Sequence, residues 1–491
     1  MRTPILRLSL IATAAVLVHG YHLGVDDAEI YVPGIKKAAD PSLYPFGSEF
    51  FQSHAHLSFF PDLVGGVARL TRLPTDLVIF MCHLLGVFLL LLAAWSLASA
   101  CFTSEPAKWG AVTLLAGVFS VPVAGTALAI MDPYVTARSL SAPATLFAIS
   151  EFVSSRPKRS LAWLLFAALV HPQMSAYGAV LLGCLLVSRW LERKPAAEPA
   201  LAALSGLPFL WNFQPAQGAA REALLSRTYF FVSNWAWYEW VGVVAPAAML
   251  WWFGRMAPKG TTSSFRWLAR SLVPFALLFT AAGLILTFSA PLENYTRLQP
   301  MRAFHIVYLV FFVLLGGLIG QHVLGRKLWR WLVLFAPLAG GMYGLARASY
   351  PYSPQIELPG RATQNNWADA FLWVRRNAPK DAVFALDPNY MAVSTDDQHG
   401  FRAVAERSAL ADNVKDSGAV SLFPQLAGTW KRQVLAQTGW KDFRLGDFEN
   451  LAQAYPVSWI VTQRPAPTGL TCPYQNRELA VCWIEVGHQP Q

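Results

Sequence analysis

Residues 161–190, LAWLLFAALVHPQMSAYGAVLLGCLLVSRW, form one long apolar run interrupted at His171-Pro172. At about 1.5 Å per residue, a straight helix of this length overshoots the roughly 30 Å hydrocarbon core of a bilayer. Both flanks are basic, SSRPKRS before and RWLERK after. The positive-inside rule places both flanks in the cytoplasm, so the segment must enter and return as two short helices. Proline removes a backbone donor and gives the break its physical cause.

Working outward, further apolar spans are predicted at roughly 4–23, 76–102, 109–130, 139–153, 199–213, 230–253, 271–290, 303–324 and 328–346. With the hairpin counted as two passes, the basic residues of every inter-span run fall on one side. These are Arg2 and Arg7, Lys108, Arg156 with Lys158 and Arg159, Arg189 with Arg193 and Lys194, the run from Arg255 to Arg270, and Arg326 to Arg330. The expectation is a polytopic α-helical membrane protein of about 11 passes, N-terminus cytoplasmic and C-terminus extracytoplasmic. MRTPILRLSLIATAAVLVHG has the charge and length of a signal peptide without a convincing A-x-A site, and reads as an uncleaved first span.

Composition agrees. Of 491 residues, 54% are hydrophobic and only 14% charged, against about a quarter in soluble domains. The 19 Trp and 31 Phe suit aromatic belts at the lipid interface. The net charge of +10 does not argue for nucleic acid, because the basic residues lie in short runs between apolar segments, as in loops facing anionic lipid.

Two domains are expected: residues 1–349 as the transmembrane part, with a long first outer loop at 24–75, and residues 350–491 as a small extracytoplasmic α/β domain. In the latter, NNWADAFLWVRRNAP, PQLAGTWKRQVLAQTG and LGDFENLAQAY read as helices, AVFALDP and VSWIVTQ as strands, and LTCPYQNRELAVCWIEV as a closing hairpin. Cys472 and Cys482 flank its turn, where an extracytoplasmic location permits a disulfide. FFPDLVGGVARL, in the first outer loop, suits a helix lying in the interface.

GYHLGVDDAEIYVPGIKKAADPSLYP, residues 20–45, sets Asp26, Asp27 and Glu29 at the mouth of the first span. On a helix Asp26 and Glu29 would share a face. Acids at such a mouth can simply complement a helix dipole, but carboxylates close to hydrocarbon are costly and mark candidate sites. On the same predicted side lie Asp132 and Arg138, in MDPYVTARSLSAP, and Arg297, Gln299, Arg302 and His305, in NYTRLQPMRAFH. An acid facing arginines across a membrane-surface cavity could act as general base on an acceptor hydroxyl while guanidinium forks hold a phosphate.

These features resemble the GT-C superfamily of membrane glycosyltransferases. The resemblance covers the whole architecture and is most specific in GVDDAEIYVPGIKKAADPSLYP, the R-L-Q-P-x-R run at 297–302, WVRRNAPKDAVFALDP and FRAVAERSALADNVK. It implies a bacterial inner-membrane enzyme that transfers a sugar from a polyprenyl-phosphate donor to an acceptor on the extracytoplasmic face. The catalytic carboxylate would be Asp26 or Asp27. Glu29, Asp132, Arg138, Arg297, Gln299, Arg302 and His305 would contact substrate. No cofactor is implied, and no D-x-D spacing supports a divalent metal.

Other groups read more plainly. His54 and His56 lack an obvious third zinc ligand. His171 sits at the proline break, and Glu239 stands in an aromatic belt. Asp396, Asp397 and His399 fit a solvated tail loop. No P-loop, H-E-x-x-H or G-x-S-x-G is present. The rival reading is a non-catalytic transporter or envelope-assembly scaffold on the same fold. One broken hairpin and no internal repeat argue against a transporter. The pattern sets no oligomeric state.

Overall fold

A computed structural model describes residues 2–118, 121–193, 215–392, 397 and 399–484. The first helices are α1 (Arg2–His19), α2 (Ala28–Ala39), α3 (Glu49–Ala55), α4 (Phe60–Thr71), α5 (Thr75–Cys101) and α6 (Glu105–Gly117). Next come α7 (Arg138–Val153), α8 (Pro157–Val170), α9 (Pro172–Arg193), α10 (Gly218–Leu225), α11 (Trp237–Met256), α12 (Ser263–Phe288), α13 (Phe304–Ile319) and α14 (Leu328–Ser349).

Among the described residues five stretches are long and apolar enough to cross a membrane: Thr75–Cys101, Pro172–Leu191, Ser263–Phe288, Ala290–Leu324 and Leu328–Ser349. The chain is a helical membrane protein. The helices α6, α7 and α8, of 13, 16 and 14 residues, fall short of the about 20 residues of a full crossing. The predicted span 109–130 needs correction. Its helix ends at Gly117, and 121–137 is irregular, with Pro122, Gly125 and Pro133 breaking the ladder and Ala124 and Ala127 at positive φ. The predicted span 199–213 lies outside the described residues.

The bundle is organised around α13, whose residues from Phe304 to Leu314 are all buried. It crosses α6 at close range. A Cβ on Gly110 would stand 2.4 Å from the Gly316 carbonyl oxygen, so only glycine lets these backbones meet. The helix breaks at His171, where α8 ends and α9 begins. The stripe at 59–70 is helical as α4. Phe60, Val64 and Ala68 face inward and Leu70 faces out, and Gly65 lies against the α2 backbone at Ile35.

The tail carries α15 (Asn366–Asn377), α16 (Phe401–Ala405), α17 (Asp416–Leu422), α18 (Ala427–Ala436) and α19 (Leu445–Ala454). Its strands are β1 (Val383–Ala385), β2 (Ser408–Ala409), β3 (Trp459–Gln463), β4 (Thr471–Gln475) and β5 (Leu479–Trp483), in the order β2-β1-β3-β5-β4. Strand β1 runs parallel to β2 and β3, whereas β5 is antiparallel to β3 and β4. Alternation along β1 feeds two cores. Phe384 packs with Trp367, Phe371 and Phe401 on one face, and Val383 and Ala385 pack with Trp440, Phe448 and Leu451 on the other. Cys472 and Cys482 are disulfide-bonded across β4 and β5.

The segment between α1 and α2 joins the two parts. Tyr21 exchanges backbone hydrogen bonds with Gln355 and Glu357, and the Gly400 N–H donates to the Gly24 carbonyl at 2.6 Å. The His22 N–H reaches the Pro133 carbonyl at 2.7 Å. The residues preceding the acid cluster are thus held by the tail on one side and by the 121–137 segment on the other.

Candidate active site

This anchoring fixes where the acids go. Asp26 adopts a left-handed φ of 51°, and Asp27 is the N-cap residue of α2. Asp26 therefore precedes the helix, and the expectation that it shares a helix face with Glu29 fails. Glu29 is 2% exposed and points away from the mouth. Its carboxylate accepts the Arg402 and Ala403 backbone N–H groups at 3.0 and 2.8 Å, at the start of α16. It ties the first turn of α2 to α16 and is not brought together with the Asp26–Asp27 pair.

Asp26 and Asp27 meet a partner that the sequence reading did not single out. Lys415, at the N-cap of α17, donates to Asp26 and lies 3.3 Å from Asp27 Oδ1. The Tyr134 hydroxyl donates to Asp26 Oδ2 at 3.0 Å. Arg138 bonds Asp132 at 3.1 Å and reaches to 3.9 Å from Asp27 Oδ2. Asp26 is half exposed and Asp27 about a quarter exposed at its side chain.

Arg302 belongs to the same neighbourhood, because Asp27, Tyr31 and His54 all feel its charge together with that of Arg138. Arg302 lies over the Tyr229 ring, 5.4 Å from its centroid. Arg227 binds the Val414 carbonyl and the Ser417 hydroxyl beside Lys415. The Nε atoms of Arg138, Arg227 and Arg302 are buried without a hydrogen-bond partner among the described residues. Buried orphan donors are costly, and those of Arg138 and Arg302 lie by the acid pair while Arg227 lies by Lys415. The Nε atoms of Arg402 and Arg407 in the tail are orphaned too, so it is the cations crowding the open pair that suit an oxyanion ligand.

The two kinds of carboxylate are pushed in opposite directions. Burial would raise Asp27, but Lys415, Arg138 and Arg302 outweigh it and hold the group well below the usual carboxylate range. Burial wins at Asp132 and raises it, even with Arg138 in contact. Environments that separate two carboxyls in this way set up a base and an acid. Burial, with Arg302 and Arg138 close by, lowers His54 to about 4, so it is neutral, and its Nε2 lies 3.2 Å from the Tyr31 hydroxyl.

The remaining candidates fall outside the acid pair. His305 lies 3.2 Å from the Ala129 carbonyl and lines a void of about 40 Å³ with Asp132 and Arg138. That space suits water and not a sugar ring. Gln299, at φ 52°, turns the chain into α13, and its carbonyl accepts the Tyr177 hydroxyl. Arg297 donates to the Asn294 carbonyl at 2.7 Å within its own turn. Among the described residues no group of three His, Cys, Asp or Glu could hold a metal. His399 is no solvated loop residue. It is 1% exposed and binds Glu357 at 2.6 Å, which His22 approaches from the other side at 3.3 Å. Asp396 lies outside the described residues. A larger cleft of about 570 Å³ opens between the start of α5 and the tail, lined by Glu357, Arg361, Arg375 and Arg376.

No protein-family model and no curated protein matches the chain. Among solved structures it is similar to the arabinofuranosyltransferase AftD from Mycobacteria, at 13% identity and a TM-score of 0.48. The alignment covers 99% of this chain and 40% of that one, so the chain spans two-fifths of that neighbour's length.

Proposed function

We propose that this protein is a membrane glycosyltransferase that moves a sugar from a polyprenyl-phosphate donor to an acceptor hydroxyl on the extracytoplasmic face. The observation that carries the reading is the crowding of three cations, Lys415, Arg138 and Arg302, on the partly open Asp26–Asp27 pair. Arg138, Arg302 and Arg227 would hold the donor phosphate, with Lys415 beside them.

Asp27 is the base. Its Oδ2 has only the distant Arg138 fork, and its ionised form is favoured. The acceptor hydroxyl gives its proton to Asp27 as its oxygen bonds the sugar's anomeric carbon. The bond from that carbon to the phosphate breaks, and polyprenyl phosphate leaves with the electron pair. Asp26 positions Lys415, which must swing from the acids toward the phosphate when the donor binds.

The test reconstitutes the purified full chain with lipid-linked sugars extracted from membranes and follows labelled sugar into acceptor. Wild-type transfer and its loss in Asp27→Asn support the enzyme. Transfer at wild-type rate by both Asp26→Asn and Asp27→Asn removes the base. Binding of the lipid-linked sugar without any transfer favours the transporter or scaffold.

A further inference from the structure

On the face that the positive-inside rule assigns to the cytoplasm, a cavity of about 550 Å³ opens between the end of α9 and the start of α12. Arg189, Arg266 and Arg270 line it together with Ser155 and Ser263, and among the described residues no Asp or Glu does. Arg189 is held over Trp267 at 5.2 Å, and Trp267 is itself tied to the Leu185 carbonyl at 3.0 Å. The first turn of α12 adds backbone N–H groups that lack helical partners. A second cavity of about 260 Å³ lies beside the first and shares Arg270 as its wall. Its other lining is Trp251, Val273 and Pro274, an apolar strip between α11 and α12, and Arg255, whose guanidinium lies 5.5 Å from the Trp251 ring centroid. Arg270 is fixed there by a 3.1 Å bond from Nε to the Gly254 carbonyl.

A guanidinium-rich basin with hydroxyls, adjoining an apolar slot, has the two-part chemistry of a lipid headgroup and its chain. We propose that the two cavities together bind one anionic phospholipid, its phosphodiester against Arg189 and Arg266 and one acyl chain along Trp251, Val273 and Pro274. A free phosphate would use the basin and leave the slot empty. The proposal does not depend on the reaction at the opposite face.

Native mass spectrometry of the full chain in detergent, incubated with phosphatidylglycerol or phosphatidylcholine, tests it. Phosphatidylglycerol should be retained preferentially. The Arg189→Gln/Arg266→Gln pair should weaken that retention by roughly thirtyfold, as two interfacial charges would. The Arg326→Gln/Lys327→Gln pair removes two exposed charges elsewhere on this face and should leave retention unchanged. Both pairs are exposed, and their elution as wild type on size exclusion shows that they are folded. Equal retention of the two lipids, or equal loss in the two double variants, overturns the proposal. Displacement of the lipid by equimolar inorganic phosphate also overturns it, by making the basin a free-anion site.

Discussion

Asp27, at the head of α2, is partly open to solvent and surrounded by Lys415, Arg138 and Arg302. Glu29, two residues on, is sealed against the tail and shares the single guanidinium of Arg402 with Asp412 and Asp416. Two positions turn a helix by about 200°, so one stretch of sequence sends its carboxylates to opposite faces. At the first face Lys415, Arg138 and Arg302 crowd a partly open acid pair, and an anion has a place to go. At the second, three carboxyl groups share one cation and are otherwise held by backbone N–H groups, two of them on Glu29, and the result is a joint between the membrane part and the tail. Charge density alone does not mark a site. The sign of the excess and the access to it do.

The largest effect is expected at the open face. Asp27→Asn should lower transfer by about 10²–10⁴-fold, the usual range for a lost general base, with the thermal unfolding midpoint little changed. At the sealed face, Arg402→Met leaves three buried carboxyl groups, Glu29, Asp412 and Asp416, without their cation. It should cost about 3–5 kcal/mol of stability, read by denaturant unfolding, and expose the tail to limited proteolysis. A variant as stable as wild type would mean the joint is not built as described.

The joint should also respond to pH. Burial first, with Asp412 adding to it, raises Glu29 to about 8 against the opposing pull of Arg402 and the backbone donors. The folded state therefore keeps a proton that the unfolded chain has released above its ordinary value of 4.5. The stabilisation is complete below that value and is lost as pH rises through about 8. Unfolding midpoints should fall between pH 5 and 9, and Glu29→Gln should flatten that slope. The smallest effect is expected from Lys415→Met. Losing this cation raises Asp27, so the acid limb of the transfer-against-pH profile should move to higher pH with only a modest change at the optimum.

The local pattern of residues 20–45 was enough to mark the acids, because carboxylates beside a span stand out against the apolar background. It was not enough to sort them. That depended on where α2 starts, which the left-handed turn at Asp26 decides, and the anchoring of 20–25 by the tail lies beyond any local signal. Lys415 and Arg227 went unseen for the same reason. Lys415 is 388 residues from Asp27, and only the folded tail joins them. The stretch FRAVAERSALADNVK did stand out, and it ends on Lys415. In the tail, the helices α15, α18 and α19 and the strands β1, β3, β4 and β5 were legible from periodicity, whereas the two-residue β2 is too short to carry a period. The apolar run 109–130 misled because hydrophobicity does not distinguish a helix from buried irregular chain. Pro122 and Gly125 were the signal that should have ended it.

The direct test sets the two faces of α2 against each other in one experiment. Asp27→Asn and Glu29→Gln are purified, matched for folded fraction, and assayed for sugar transfer from lipid-linked donor. Asp27→Asn should be folded and inactive, while Glu29→Gln should retain transfer with an altered pH dependence of stability. Full transfer by folded Asp27→Asn, or abolished transfer by equally folded Glu29→Gln, would contradict that expectation.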